Sequence, residues 1–215
     1  FAKKKALNVR TPLTLDSDKE YDFMKNLKPD IVVVMAYGKI IPKRFLNLAK
    51  HGFINVHTSL LPKWRGAAPI QRSIMNLDSE TGISIMKVVE ELDAGPVMHQ
   101  AKIAINENTD TQTLTQVLSQ LGAKALLDSI SKIENGKAKF KEQNHNQATY
   151  AKKISKAEGK IEWNESAKKV LAKINGLNPN PGAWFEYKNE RYKVWKAEIV
   201  NKSGKIGTIL NDQLI

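Results

Sequence analysis

Apolar and polar positions along the chain change period in an orderly way. Ser17–Leu27 sets Tyr21, Met24 and Leu27 at helical spacing, with Ser17 and Asp18 as N-cap candidates and Pro29 beyond the end. Ile31-Val32-Val33-Val34-Met35-Ala36 follows as an unbroken, β-branched run, which predicts a central strand of a parallel sheet. Pro42–Lys50 reads as a short helix closed by His51-Gly52, and Phe53–His57 as the next strand. Ala67–Met75 is predicted helical, Gly82–Val89 extended, and Thr111–Ile133 a long amphipathic helix stopped by Asn135-Gly136. This β-α-β-α-β alternation predicts an open α/β sheet, whose site lies beyond the carboxyl ends of the strands.

Beyond this region the pattern changes. Lys137–Lys160 is polar, lysine-rich and low in bulky apolar residues, so it reads as a linker. Ile161–Ile174 carries a short helix, and Trp184–Tyr187, Tyr192–Val200 and Gly204–Leu210 alternate like strands between Asn/Gly turns. The expected organisation is an α/β domain over 1–137, a linker over 138–160 and a small β-rich domain over 161–215, built as a partial barrel. Phe1–Leu7 reads as the end of a helix already under way, and the barrel pattern breaks off at Ile215. Further residues are expected on both sides.

Composition narrows the classes of function. With 41% hydrophobic and 26% charged residues the chain is an ordinary globular one, and no apolar run approaches the ~18–20 residues of a membrane helix. It has no cysteine, which removes disulfides, thiolate nucleophiles and thiolate metal sites and suits a reducing cytoplasm. His51, His57, His99 and His145 show no HxH or HxxxH spacing, so no metal is expected; His99 and His145 read as surface or structural. Neither GxGxxG nor GxxxxGK occurs. The 34 Lys+Arg against 22 Asp+Glu give a net charge of +12, and residues 138–215 hold 15 basic against 8 acidic side chains. Such an excess attracts polyanions, nucleic acid being the commonest; a solvated lysine-rich surface is the other reading.

The candidate chemistry sits after the second strand. Asn55 and His57, two apart on a strand, share a face. The loop Thr58–Gly66 follows, and the strand Gly82–Val89 ends in Glu90-Glu91-Leu92-Asp93-Ala94-Gly95-Pro96, a turn carrying an acid. An amide can stabilise an oxyanion, an imidazole can handle a proton near neutrality, and a carboxylate can orient the imidazole and favour its charged form. On spacing alone, a lone His after a strand is more often a satisfied structural residue.

Ile54-Asn55-Val56-His57-Thr58-Ser59-Leu60-Leu61-Pro62 together with Leu92-Asp93-Ala94-Gly95 resembles the formyltetrahydrofolate-dependent formyltransferases. Lys63-Trp64-Arg65-Gly66-Ala67-Ala68-Pro69-Ile70-Gln71-Arg72 is similar to the members that act on methionyl-tRNA, and the likeness continues through Thr149-Tyr150-Ala151, Asn178-Pro179 and Lys193–Ala197. The resemblance implies a Rossmann-like formyltransferase domain followed by an OB-like barrel. It also implies transfer of a formyl group from 10-formyltetrahydrofolate to the methionine of initiator Met-tRNA, without a metal. Residue by residue, Asn55, His57 and Asp93 match the family's catalytic set. Ser59, Leu60, Leu61 and Pro62 match folate contacts, and Tyr37, Gly38, Ile40, Val89, Glu90, Glu91 and Leu92 match positions that enclose the pterin. Lys63, Arg65, Lys152, Lys153, Lys156 and Lys160 are the candidate tRNA contacts, the last four reading equally as a solvated face. A monomer acting in the cytoplasm, away from membranes, is expected.

Two other readings remain at this point. One keeps the chemistry and changes the acceptor to an amino sugar on a nucleotide; the other is a non-catalytic RNA-binding protein on a decayed formyltransferase domain. The charge and the Trp64–Pro69 run argue against the first, and intact Asn55, His57 and Asp93 against the second. Trp163, Trp184 and Trp195 read as packing residues rather than base-stacking platforms.

Overall fold

A computed structural model describes residues 1–202 and 204–208. After a short 3-10 turn at Lys3–Lys5, where the sequence suggested the end of a helix, α1 spans Asp18–Leu27. The Ser17 hydroxyl caps it by accepting from the Glu20 backbone N–H at 3.3 Å, and Lys28 closes it in the left-handed region. Its Tyr21 meets Phe45 edge-on, in a small core shared with α2 (Lys43–Leu46) and Phe53. The helix expected over Pro42–Lys50 is therefore only one turn long. β1 is also shorter than its apolar run, covering Val32–Val34, and Ala36 beyond it has a positive φ.

β2 (Phe53–His57) lies parallel to β1, and Val34 pairs with Asn55. A two-residue strand β3 (Arg65–Gly66) and α3 (Pro69–Met75), which opens on proline, precede β4 (Glu80–Lys87). β4 runs antiparallel to β2, and β5 (Val97–Ala104) antiparallel to β4, giving the order β1-β2-β4-β5. The sheet is thus mixed, not parallel, and among the described residues β1 is its edge rather than its centre. β5 escaped the sequence reading because His99, Gln100 and Lys102 interrupt its apolar positions. A strand missed there turns a hairpin into an apparent crossover.

α4 (Thr111–Glu134) lies across the sheet, capped by Asp110, whose carboxylate accepts from the Thr113 N–H at 2.7 Å. Leu114, Leu118 and Ala125 on its buried face join Ile54, Val56, Ile83 and Ile85 from the strands and Ile70 and Ile74 from α3 in one core. Burying each of the Leu, Ile and Val side chains contributes about 1.5–3 kcal/mol. None of the helices among the described residues is long and apolar enough to cross a membrane.

The segment predicted as a linker is tied down. Lys141 bridges to Val97, and β6 (Tyr150–Ala151) pairs in parallel with β3, leaving Ala151 fully buried. These bonds run through backbone atoms, so composition carried no sign of them. α5 (Ala167–Leu177) packs on α3 and is fastened to the approach of α4 by Thr111 Oγ1, which donates to the Gly176 carbonyl at 2.7 Å. β7 (Ala183–Tyr187) and β8 (Glu190–Val194) then form a hairpin around Lys188-Asn189, both with positive φ. The second region holds this hairpin and no closed barrel among the described residues. Residues 195–200 are not a strand, and 204–208 are irregular. Ile209 and Leu210, the end of the last expected strand, lie outside the described residues.

Candidate active site

Alternation along β2 sends Ile54 and Val56 into the core and Asn55 and His57 to the other face. Asp93 does not come from a neighbouring strand end. Because β4 is antiparallel to β2, its end at Lys87 lies beside Ile54, and the β4–β5 loop folds back over the sheet. Asp93, held at φ 49°, brings its carboxylate into the group. Asn55 Nδ2 donates to Asp93 Oδ1 at 3.3 Å, the Gly66 backbone N–H donates to Oδ2 at 2.8 Å, and His57 Nδ1 lies 3.6 Å from Oδ2. His57 and Asp93 keep only 6% and 12% of their side-chain surface in contact with solvent, so their interaction is weakly screened.

The other imidazole nitrogen, Nε2, is 2.9 Å from the Trp64 carbonyl oxygen. That oxygen can only accept, so Nε2 carries a proton and Nδ1 is left as the nitrogen that can exchange one. Trp64 is set for this by its backbone conformation and two hydrogen bonds. Its φ is +61°, its N–H donates to Thr149 Oγ1 at 2.9 Å, and its indole N–H donates to Asp78 Oδ2 at 2.7 Å.

The loop after β2 is pinned from beneath. Ser84 Oγ donates to the Ser59 carbonyl at 2.7 Å and accepts from the Leu61 N–H at 3.1 Å, while Gln100 Nε2 donates to the Leu61 carbonyl at 2.9 Å. Ser59 and Leu61 are buried, and Leu60 and Pro62 partly so. Tyr37, Gly38 and Ile40 after β1 are exposed, as are Val89, Glu90, Glu91 and Leu92 in the β4–β5 loop. The Lys43–Glu90 ion pair at 2.6 Å joins the start of α2 to the β4–β5 loop, and its hydrogen bond holds the Lys43 ammonium above the usual lysine range. Apolar side chains left open on two loops flanking a polar cluster suit a flat, partly apolar ligand.

Arg65 departs from expectation. Its side chain is buried, with Nε and Nη2 donating to Gln143 Oε1 at 3.2 and 2.9 Å and Nη1 to Glu91 Oε1 at 3.2 Å. A guanidinium so engaged is not presented to a phosphate. Lys63, Lys152, Lys153, Lys156 and Lys160 are exposed. No sequence signal marks Gln143, the Gly66 N–H or the Trp64 carbonyl: two of the three act through the backbone, and the third lies 50 residues from Asp93 along the chain.

Set against known proteins, residues 2–130 match the model of the formyl transferase family and residues 153–214 that of the formyl transferase C-terminal domain. A methionyl-tRNA formyltransferase of Pelagibacter ubique is 54% identical over 209 residues, covering 97% of this chain and 67% of that protein. One of Carboxydothermus hydrogenoformans is 39% identical over 205 residues, covering 95% and 66%. The chain spans about two thirds of the length of these curated relatives. A solved N-formyltransferase from Helicobacter canadensis, in complex with folinic acid and dTDP-3-aminofucose, has a TM-score of 0.76 at 20% identity, over 94% of this chain and 70% of that one. At that identity the likeness concerns the fold alone.

Proposed function

The chain belongs to the formyl transferase family, and from that premise we propose that it transfers a formyl group from 10-formyltetrahydrofolate to the α-amino group of methionine on initiator Met-tRNA. The observation that carries the choice of acceptor is the 54% identity to a methionyl-tRNA formyltransferase. The net charge of +12 supports a polyanionic substrate over a nucleotide-linked amino sugar.

Asn55, His57 and Asp93 are the proposed catalytic residues. Ser59–Pro62 and the loops holding Tyr37, Gly38, Ile40 and Val89–Leu92 are the proposed folate contacts. The exposed apolar side chains of those loops support the fit to a pterin. Bound there, the folate supplies the formyl carbon, and the protein's task is orientation and electrostatics. Asn55 Nδ2 retains one hydrogen beyond the one given to Asp93. That hydrogen and a proton on His57 Nδ1 stabilise the negative charge developing on the formyl oxygen, an effect of about 2.7–4 kcal/mol per donor. As the new N–C bond forms and the old one breaks, the amine loses a proton and the departing nitrogen gains one. Asp93, whose carboxylate lies 3.6 Å from His57 Nδ1, favours the charged imidazole and is placed to relay the amine's proton toward the departing nitrogen.

We assign 1–137 to the catalytic domain, 138–160 to a connection whose first part, through Ala151, is bonded onto that domain, and 161–215 to an OB-like domain, in a monomer working in the cytoplasm. Lys63, Lys152, Lys153, Lys156 and Lys160 are the proposed tRNA contacts. The test offers the full-length protein 10-formyltetrahydrofolate with Met-tRNA and, separately, with a nucleotide-linked amino sugar. Formylation of Met-tRNA is expected; turnover of the sugar alone would overturn the assignment.

A further inference from the structure

The side-chain amide of Gln143 is buried and fully engaged. Its Nε2 donates to two backbone carbonyls of the β4–β5 loop, those of Asp93 at 2.9 Å and Gly95 at 2.7 Å. Its Oε1 accepts from Arg65 Nε and Nη2 at 3.2 and 2.9 Å. An amide could be turned either way in its pocket, but a guanidinium can only donate and a carbonyl can only accept. Arg65 therefore fixes the amide with its NH2 toward the turn. The same turn carries Asp93 in the left-handed region, at a cost of order 1–3 kcal/mol that its surroundings must outweigh. Two carbonyls clamped by one NH2 hold the Asp93 backbone, while Asn55 and Gly66 hold its carboxylate.

We propose that Gln143 is a positioning residue for formyl transfer: it sets the Asp93 turn so that the carboxylate reaches Asn55 and His57, with Arg65 fixing the direction of its amide. This rests on the catalytic reading of Asn55, His57 and Asp93. The competing account is that Gln143 merely gives a buried cation an acceptor. The two accounts part on the donor side of the amide. Gln143→Glu keeps, and strengthens, an acceptor for Arg65 but removes both hydrogens from the turn; Gln143→Met keeps the length and removes everything polar.

The test measures kcat, both KM values and melting temperature for the full-length protein, for each variant, and for each variant combined with Asp93→Asn. Gln143→Glu and Gln143→Met are expected to lose roughly 10–100-fold in kcat, the scale of a small misplacement of a reacting group, with KM for folate and tRNA within about 3-fold. In the Asp93→Asn background the Gln143 substitutions are expected to add little, since residues acting through one another are not additive. Wild-type kcat in Gln143→Glu would overturn the proposal in favour of charge neutralisation. A full multiplicative loss on top of Asp93→Asn would overturn it by showing that Gln143 acts elsewhere. Undiminished turnover in Asp93→Asn alone would instead remove the catalytic reading and the proposal with it.

Discussion

His57 Nε2 meets the backbone carbonyl oxygen of Trp64 at 2.9 Å, so the orientation of the imidazole is set by a main-chain atom. No substitution of the Trp64 side chain deletes that acceptor, yet the side chain helps place it, through the bond from its indole N–H to Asp78. The consequence is a ring whose Nδ1 is turned toward Asp93, 3.6 Å from its Oδ2.

Loss of either candidate oxyanion donor should be felt in turnover. Asn55→Ala and His57→Ala are each expected to lower kcat by roughly 10²–10³, as removal of one such donor does. Equilibrium binding of folate should change little, because the lost interaction belongs to the transition state. Steady-state kinetics beside a folate titration checks this, and near-normal kcat in Asn55→Ala would sink the assignment.

Gly66 is tested by the smallest possible change. Its φ is +120°, and a Cβ there would stand 2.8 Å from the Ala151 carbonyl oxygen. Gly66→Ala should therefore force β3 and β6 apart and withdraw the N–H that Asp93 Oδ2 accepts. A stability loss of about 1–3 kcal/mol in denaturant unfolding is expected, together with reduced kcat. An alanine variant with unchanged midpoint and turnover would contradict both.

The exposed lysines should act on RNA alone. Replacing Lys152, Lys153, Lys156 and Lys160 together with Ala is expected to weaken tRNA binding and flatten its salt dependence, by up to about 0.9 in log–log slope for each duplex phosphate contact removed. Folate affinity and kcat at saturating tRNA should hold steady, since uniform binding is what is lost. Parallel log Kd against log salt lines for the two proteins would mark these side chains as a solvated face.

Acid should loosen one clasp of the connecting segment. Arg72 Nη1 donates to Glu158 Oε2 at 2.6 Å, while Nε and Nη2 reach the Lys152 carbonyl, so α3 grips this segment at two points. The bond from Arg72 holds the Glu158 carboxyl below its ordinary value of 4.5. A depressed acid stabilises the fold above the unfolded value and ceases to as pH falls through the folded one. The melting-temperature gap between wild type and Glu158→Gln should thus be present at pH 7 and close below about pH 4.5. The pair is partly exposed, so the gap should stay within the ~0–1 kcal/mol typical of such bridges. A gap that widened in acid would refute this.

Much of the site was legible because a strand announces itself. The alternation of Phe53–His57 by itself puts Asn55 and His57 on one face. The acid-bearing loop Glu90–Pro96 was legible as a strand end, but the choice of Asp93 among its acids came from family resemblance, and its route to the site, doubling back from an antiparallel strand, was not foreseen. That antiparallel turn was itself hidden, because β5 mixes His99, Gln100 and Lys102 into its pattern. Arg65 read as a phosphate contact on charge alone; its partner Gln143 lies 78 residues away and belongs to no periodic pattern.

The parallel ladder between Arg65–Gly66 and Tyr150–Ala151 redraws the lines along which this protein can be taken apart. A boundary set by composition falls near residue 137, yet a catalytic half cut there would leave behind Gln143, Thr149 and Ala151, each bonded to the loops around the site. The modular unit, in the sense that matters for exchanging second domains between relatives, ends after Ala151. Chimaeras joined beyond that residue keep these supports of the candidate site, whereas those joined at 137 must borrow them from the incoming partner.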